Sequence, residues 1–268
     1  TKTLSVWLTG GEMPKGTYDP DKEGIPIMLA MKLSTNAYFE RVNRLLNDNP
    51  AYPEDGELLS ELAELGIGAG CCFNSSLSPV DLEKFWQEMK NSLLPKLIEE
   101  TSCFMVRNGN FKFYGEPISR FGTQYGYRCL VAIAGFGANP VDVAVYLKAE
   151  EDDKGEKLDA KNRYLLHFNA DGLPPVEKHG LWSITAYGDD DFLISNPIER
   201  YAISNRNDFR LNDDNSLDLI LQTEEPNENR ENWLPVGERG FHLYLRIYRP
   251  GNSVLNGTWK APKITKID

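Results

Sequence analysis

The segment Arg239 to Pro250 reads RGFHLYLRIYRP, a spacing that can do chemistry. Successive side chains of a strand point to opposite faces, so Phe241, Leu243, Leu245 and Ile247 share one side and His242, Tyr244, Arg246 and Tyr248 the other. The first set is core. The second can stack, donate protons and hold an anion. Arg246 carries a permanent charge and a rigid fork of donors, so its place in mid-strand among aromatics is costly unless an acceptor meets it. That acceptor is either a ligand carboxylate or an internal acid such as Asp218, mid-strand in SLDLILQ.

Two other stretches repeat the pattern. In RYLLHFN, Arg163, Leu165, His167 and Asn169 oppose Tyr164, Leu166 and Phe168; in WSITAY, Ser183, Thr185 and Tyr187 oppose Trp182, Ile184 and Ala186. If both share a sheet with 241–249, one concave face is lined by His, Tyr, Arg, Thr and Asn. Arg246 is then the principal anion-holding group, Tyr244 and Tyr248 are ligand-binding, and His242, His167 and Tyr187 are the candidates for moving a proton. The competing assignment is that these side chains cover a helix or an oligomer partner.

Other chemistries have less support. His167, His179 and His242 lack the local spacing of a zinc motif, and Asp189, Asp190 and Asp191 lack that of a calcium loop, so no metal is expected. GIGAG at 66–70 and GFGANP at 135–140 fit neither G-x-G-x-x-G nor a phosphate loop; the first reads as a helix cap and turn, and no nucleotide cofactor is expected. No G-x-S-x-G elbow occurs. Cys71, Cys72, Cys103 and Cys129 read as buried free thiols.

The elements that must position the polar face follow from periodicity. Phe39, Val42, Leu45 and Leu46, then Leu58, Leu59, Leu62 and Leu65, keep helical spacing, and Gly66 is placed to cap. SPVD at 78–81 starts a further helix with an apolar stripe at Leu82, Phe85, Trp86, Met89 and Leu93, which Pro95 should kink or end. After Glu100 the period changes to two. MVRNGNFKFYG reads as a hairpin with Asn108-Gly109 in the turn, TQYGYRCLVAIAGFGANP as a helix that ends at Gly135 or Gly137, with a strand as the alternative, and 141–148, 163–169, 181–187, 216–222 and 241–249 as strands. The expected fold class is α+β, mainly β: residues 1–100 form a tail and helical connector, and 101–268 an antiparallel β-sandwich of jelly-roll type.

With 29 basic and 40 acidic residues the net charge is −11 and the basic residues are scattered, which argues against a surface that neutralises nucleic acid or anionic membrane in bulk. No apolar run reaches the roughly 18 to 20 residues of a membrane span. The chain begins at Thr1, as a processed or truncated product would, and reads as soluble.

The series LWSITAY, NPIERYAI, SLDLILQ, NWLP, FHLYLRIYRP and LNGTWKAP closely resembles the family of domain of unknown function 1214. YRCLVAIAGFGANPVDVAVY and NRYLLHFNADGLPPV extend the resemblance from about Tyr125 to the end, and 25–100 is similar to the connector of members that pair this domain with domain of unknown function 1254. The resemblance implies a jelly-roll-like sandwich, export in many bacterial members, and an upstream 1254 domain most of which this chain lacks. Carried position by position, the pattern includes Trp182, Tyr187, Asn196, Arg200, Asn232, Trp233, Arg246, Tyr248 and Trp259, which adds Arg200 and Trp233 to the ligand-binding candidates. His179-Gly180-Leu181 departs from it, since members commonly have an aromatic directly before that Trp. The expected function is binding, with or without transformation, of a small polar or anionic molecule; a noncatalytic carbohydrate-binding module and a homo-oligomeric assembly module are the alternatives.

Overall fold

The computed structural model describes residues 26–267. After Pro95 the chain divides into two compact units. Among the described residues no helix is long and apolar enough to cross a membrane.

The N-terminal unit is helical, with α1 (Pro26–Met31), α2 (Thr35–Asp48), α3 (Gly56–Glu64) and α4 (Pro79–Glu88). Ser34 and Ser78 cap α2 and α4 by accepting the Ala37 and Asp81 amides, removing orphan donors at each start. Trp86, 1% exposed, packs against Tyr38 and Phe39 and donates its indole N–H to the Leu33 carbonyl. The glycine loop behaves as a cap and turn: Asn43 on α2 donates to the Gly66 and Cys71 carbonyls and accepts the Gly68 amide. Pro95 does not end the helical path. A widened π turn at Met89–Leu93 leads into α5 (Leu94–Glu100), whose second position tolerates the missing N–H.

The C-terminal unit is built on two sheets, as the change of period implies. One has the order β1 (Met105–Asn108), β2 (Phe111–Tyr114), β3 (Ala144–Ala149), β9 (Phe241–Pro250), β5 (Val176–Gly188), β6 (Ala202–Ser204). The other has the order β10 (Ile264–Ile267), β4 (Arg163–Phe168), β7 (Leu217–Gln222), β8 (Trp233–Pro235). All pairings are antiparallel except β7 with β8. The core takes the alternate residues of each sheet: Val145, Leu147, Trp182, Ile184, Leu243, Leu245 and Ile247 from the first, Tyr164, Leu166, Phe168, Leu217, Leu219 and Leu221 from the second. Between β2 and β3, α6 (Tyr125–Ala134) makes a satellite core with Tyr127, Leu130 and Val131, and α7 (Asn252–Leu255) follows β9.

Three expectations need correction. β4 lies in the second sheet, so RYLLHFN does not share a face with WSITAY and RGFHLYLRIYRP. The hairpin turn is Gly109-Asn110 rather than Asn108-Gly109, because Asn108 is buried and holds the Trp259 carbonyl and the Ala261 amide. The cysteines are free but not buried: Cys72 and Cys103 are exposed, Cys71 and Cys129 half-buried.

At His179-Gly180-Leu181, β5 slips register against β9, between Val176 and Leu181. Gly180 sits in that irregularity with no room for a side chain: a Cβ there would lie 2.8 Å from the Glu177 carbonyl oxygen and 2.9 Å from that of Tyr248. Both are backbone atoms, so strand must move against strand. Gly180→Ala is expected to cost about 1–3 kcal/mol, the range for an overpacked interior. Urea denaturation followed by far-UV circular dichroism checks this, and an unchanged midpoint would refute it.

Candidate functional site

The polar side of RGFHLYLRIYRP forms the middle of the outer face of the six-stranded sheet. Pairing of β9 with β3 sets Tyr146 opposite Arg246 and Lys148 opposite Tyr244. Pairing with β5 sets Ser183 opposite Arg246, Thr185 opposite Tyr244 and Tyr187 opposite His242. Because β9 is bonded along both edges, these side chains stand on backbone that is fixed from both sides.

Arg246 lies along this face. Its guanidinium carbon is 5.0 Å from the Tyr244 ring centre and 5.3 Å from that of Tyr187, and one terminal nitrogen donates to the Tyr187 hydroxyl at 2.9 Å. Among the described residues no carboxylate pairs with it. The other cations are committed: Lys112 and Lys148 both bind Glu150, the latter at 3.0 Å. The Lys112 hydrogen bond is the largest influence on Glu150 and, with Lys148, holds its carboxyl down at about 2. Burial opposes the charge on Lys148, yet the Glu150 hydrogen bond and the neighbouring Tyr244 carry its pKa above the usual value.

His242 is 6% exposed and stacks on Tyr187 at 5.8 Å. Its Nε2 lies 3.2 Å from Asp191 Oδ1, but the contact misses hydrogen-bond alignment, and the nitrogen is buried without a partner. Burial, and then Lys148, depress the imidazole pKa more than Asp191 and Glu150 raise it. At the other end of the face, Asn139 donates to the Tyr146 hydroxyl at 2.7 Å, and Tyr146 meets Tyr248 edge to face at 5.9 Å. Burial first, and then the bond to Tyr146, raise the Tyr248 phenol.

The remaining candidates stand elsewhere. His167 is on β4, where its Nδ1 lies 2.6 Å from Asp218 Oδ1. That carboxylate also accepts from Asn212, so Asp218 is the partner of His167 and not of Arg246. Arg200 donates to the carbonyls of Arg230 and Trp233 at 2.7 and 2.8 Å, pinning the chain that leads into β8. Trp233 is buried and donates its indole N–H to the Gln222 carbonyl. Tyr146, Lys148, Glu150 and Asn139 were not singled out from the sequence, although AVYLKA alternates Tyr and Lys with Val, Leu and Ala in the same manner as RGFHLYLRIYRP.

A cavity of about 430 Å³ opens beyond the end of the face, between Gly188–Ser195 and Val236–Gly240. Two of its acids have local contacts: Asp190 accepts the Phe192 amide, and the Asp189 carboxylate lies over Gly240. Neither His242 nor Arg246 lines it. The cavity has a cation of its own in Arg239, but the outer face is the better candidate, since it sets a guanidinium against two rings and a hydroxyl near an unpartnered ring nitrogen. Among the described residues no group of three or more His, Cys, Asp or Glu is gathered as metal ligands would be.

Residues 143–252 match the family profile described as "Protein of unknown function (DUF1214)", which bears out the resemblance to that domain over this stretch, while no match covers the likeness to members paired with domain 1254. The match takes in β3, β5 and β9, hence the face from Tyr146 to Tyr248. No curated protein matches the chain. Over 99% of its length the chain is similar to the crystal structure of the VPA0106 protein from Vibrio parahaemolyticus, at 23% identity and a TM-score of 0.65, which shows a shared fold. The chain spans 61% of that protein. An uncharacterised protein from Burkholderia cenocepacia aligns with 73% of this chain and 46% of its own at 12% identity, with a TM-score of 0.37.

The depressed His242 pKa has a consequence for stability. The unfolded chain takes up a proton near the ordinary histidine value of about 6.5 and the folded chain only at lower pH. Stability therefore falls as pH drops through and below that value, because the unfolded state binds more protons. His242→Gln is expected to lessen that acid-side loss, measured by urea denaturation between pH 7.5 and 5. An NMR histidine titration should show one ring with a midpoint under 6.5 that disappears in the variant; a normal midpoint would contradict the assignment.

Proposed function

We propose that the outer face of the six-stranded sheet binds a small anionic molecule, with Arg246 as the group that holds the anion. The observation that carries this is the state of Arg246: half-buried, held between two tyrosine rings, and without a carboxylate partner among the described residues. A guanidinium so held keeps donors in fixed directions, which lowers the ordering cost of binding. Tyr187, Tyr244, Tyr146 and Tyr248 supply the walls, and His242 offers a neutral ring nitrogen beside them.

The carbohydrate-binding alternative has less support. Among the described residues every tryptophan is buried, and the tyrosines of the face meet edge to face instead of forming a flat platform.

Arg246→Met keeps apolar length and removes every donor, and because Arg246 meets a neutral hydroxyl, no internal acid is stranded by the change. The variant is expected to keep its stability within about 1 kcal/mol. Small carboxylates and inorganic phosphate serve as probes in thermal-shift and calorimetric titrations. Those that bind the unmodified protein should bind the variant at least ~10-fold more weakly, the scale of one charge-assisted hydrogen bond. Binding that survives the substitution would refute the role of Arg246, and a loss of roughly 3–5 kcal/mol in stability would reveal a hidden charge partner instead of a ligand site.

A further inference from the structure

The class of anion can be narrowed from the charges and ring geometry of the same face, taking the anion-binding reading as its premise. Lys112 and Lys148 share the single carboxylate of Glu150, so the pair carries one net positive charge, and the nearby Asp191 and Asp189 oppose it. Of the two cations over the Tyr244 ring, Lys148 is paired with Glu150 and Arg246 is left to neutralise a ligand directly, in a protein of net charge −11. One guanidinium matches one negative charge. A phosphate dianion would leave a second charge unmatched at a half-buried face, which the surrounding field disfavours.

The donors next to Arg246 have the form of a carboxylate seat. An arginine only donates, so the Tyr187 oxygen is the acceptor in the Arg246–Tyr187 bond, and its own hydroxyl proton remains to be given to something else. The guanidinium nitrogen and the phenol oxygen lie 2.9 Å apart, two adjacent donors that can each take one oxygen of a carboxylate.

The walls favour a flat body behind that carboxylate. Tyr187 and Tyr244 cross at 88°, Tyr146 and Tyr248 at 90°, and His242 and Tyr244 at 74°. Rings set perpendicular present edges and faces in turn, and a planar unsaturated ligand can add to such an array with the edge-to-face or offset contacts that aromatic rings prefer. A puckered aliphatic ring of the same volume gains burial but not these contacts.

We infer that the anion is the carboxylate of a small planar, unsaturated monoacid of the benzoate class, seated on Arg246 and the Tyr187 hydroxyl with its ring among the tyrosines of β3, β5 and β9. Benzoate, cyclohexanecarboxylate, benzamide and inorganic phosphate, titrated calorimetrically into the intact chain, test this. Benzoate is expected to bind ~3- to 10-fold more tightly than cyclohexanecarboxylate, the gain of an aromatic contact beyond burial. It should also bind at least ~10-fold more tightly than neutral benzamide or phosphate. Tyr187→Phe, which keeps the ring and removes the donor, should weaken benzoate ~5-fold while leaving cyclohexanecarboxylate still the weaker ligand. Equal binding of the two ring acids, or preference for phosphate, would overturn the planar monoacid and leave an anion site standing. Failure of every acid to bind would overturn both readings.

Discussion

Strand β9 is bonded along both edges, to β3 and to β5, and everything proposed for the protein depends on the alternation this imposes. Leu243, Leu245 and Ile247 must point inward because they close the core against the second sheet, and that obligation sends Tyr244, Arg246 and Tyr248 outward. A slip of one residue would bury an arginine in the sandwich and expose three of its best-packed aliphatic side chains. The apolar contacts that hold the fold together are thus also what holds the candidate site in register. Site precision here is a by-product of core packing, not of any bond within the site.

On that scaffold, several charges have structural partners, whereas Arg246 has no carboxylate among the described residues. Glu150 ties up Lys112 and Lys148, Asp142 pairs with Arg120, and Arg200 is spent on main-chain carbonyls. Arg246 is stabilised by ring faces and a hydroxyl, which offset part of its desolvation without cancelling its charge. A guanidinium packed in this way is oriented before any ligand arrives, whereas a solvated one would have to be ordered at the moment of binding.

Much of this was legible in sequence wherever a single strand or helix contained the signal. The polar and apolar sides of 241–249 could be read from period two, and the Ser78 cap from its neighbours, because both are local. Which strands are neighbours is not local. RYLLHFN and WSITAY have the same alternation, yet β4 pairs with β7 and β5 with β9, so His167 meets Asp218 and lies in a different sheet from His242. Arg200 and Trp233 entered through family resemblance, and the structure gives each a backbone carbonyl to hold. Tyr146 and Lys148 were missed although their strand was recognised, since a Tyr and a Lys on a short strand resemble an ordinary solvated face until their partners across β9 are known.

His242 shows why an imperfectly satisfied group can persist at this position. Its ring is covered by Tyr187 and the 188–193 turn, and its Nε2 has a carboxylate 3.2 Å away that fails to align. Asp191 holds that place with a left-handed backbone, φ 60°, uncommon for a residue with a side chain. A stability-optimised sheet would put an apolar side chain opposite Tyr187, or bring the acid into line. Retaining neither leaves an imidazole stacked on the Tyr187 ring, whose hydroxyl accepts from Arg246. The same local imperfection that costs folding energy sets an imidazole of depressed pKa against the Tyr187 ring, at one end of the face, where another apolar contact would have packed.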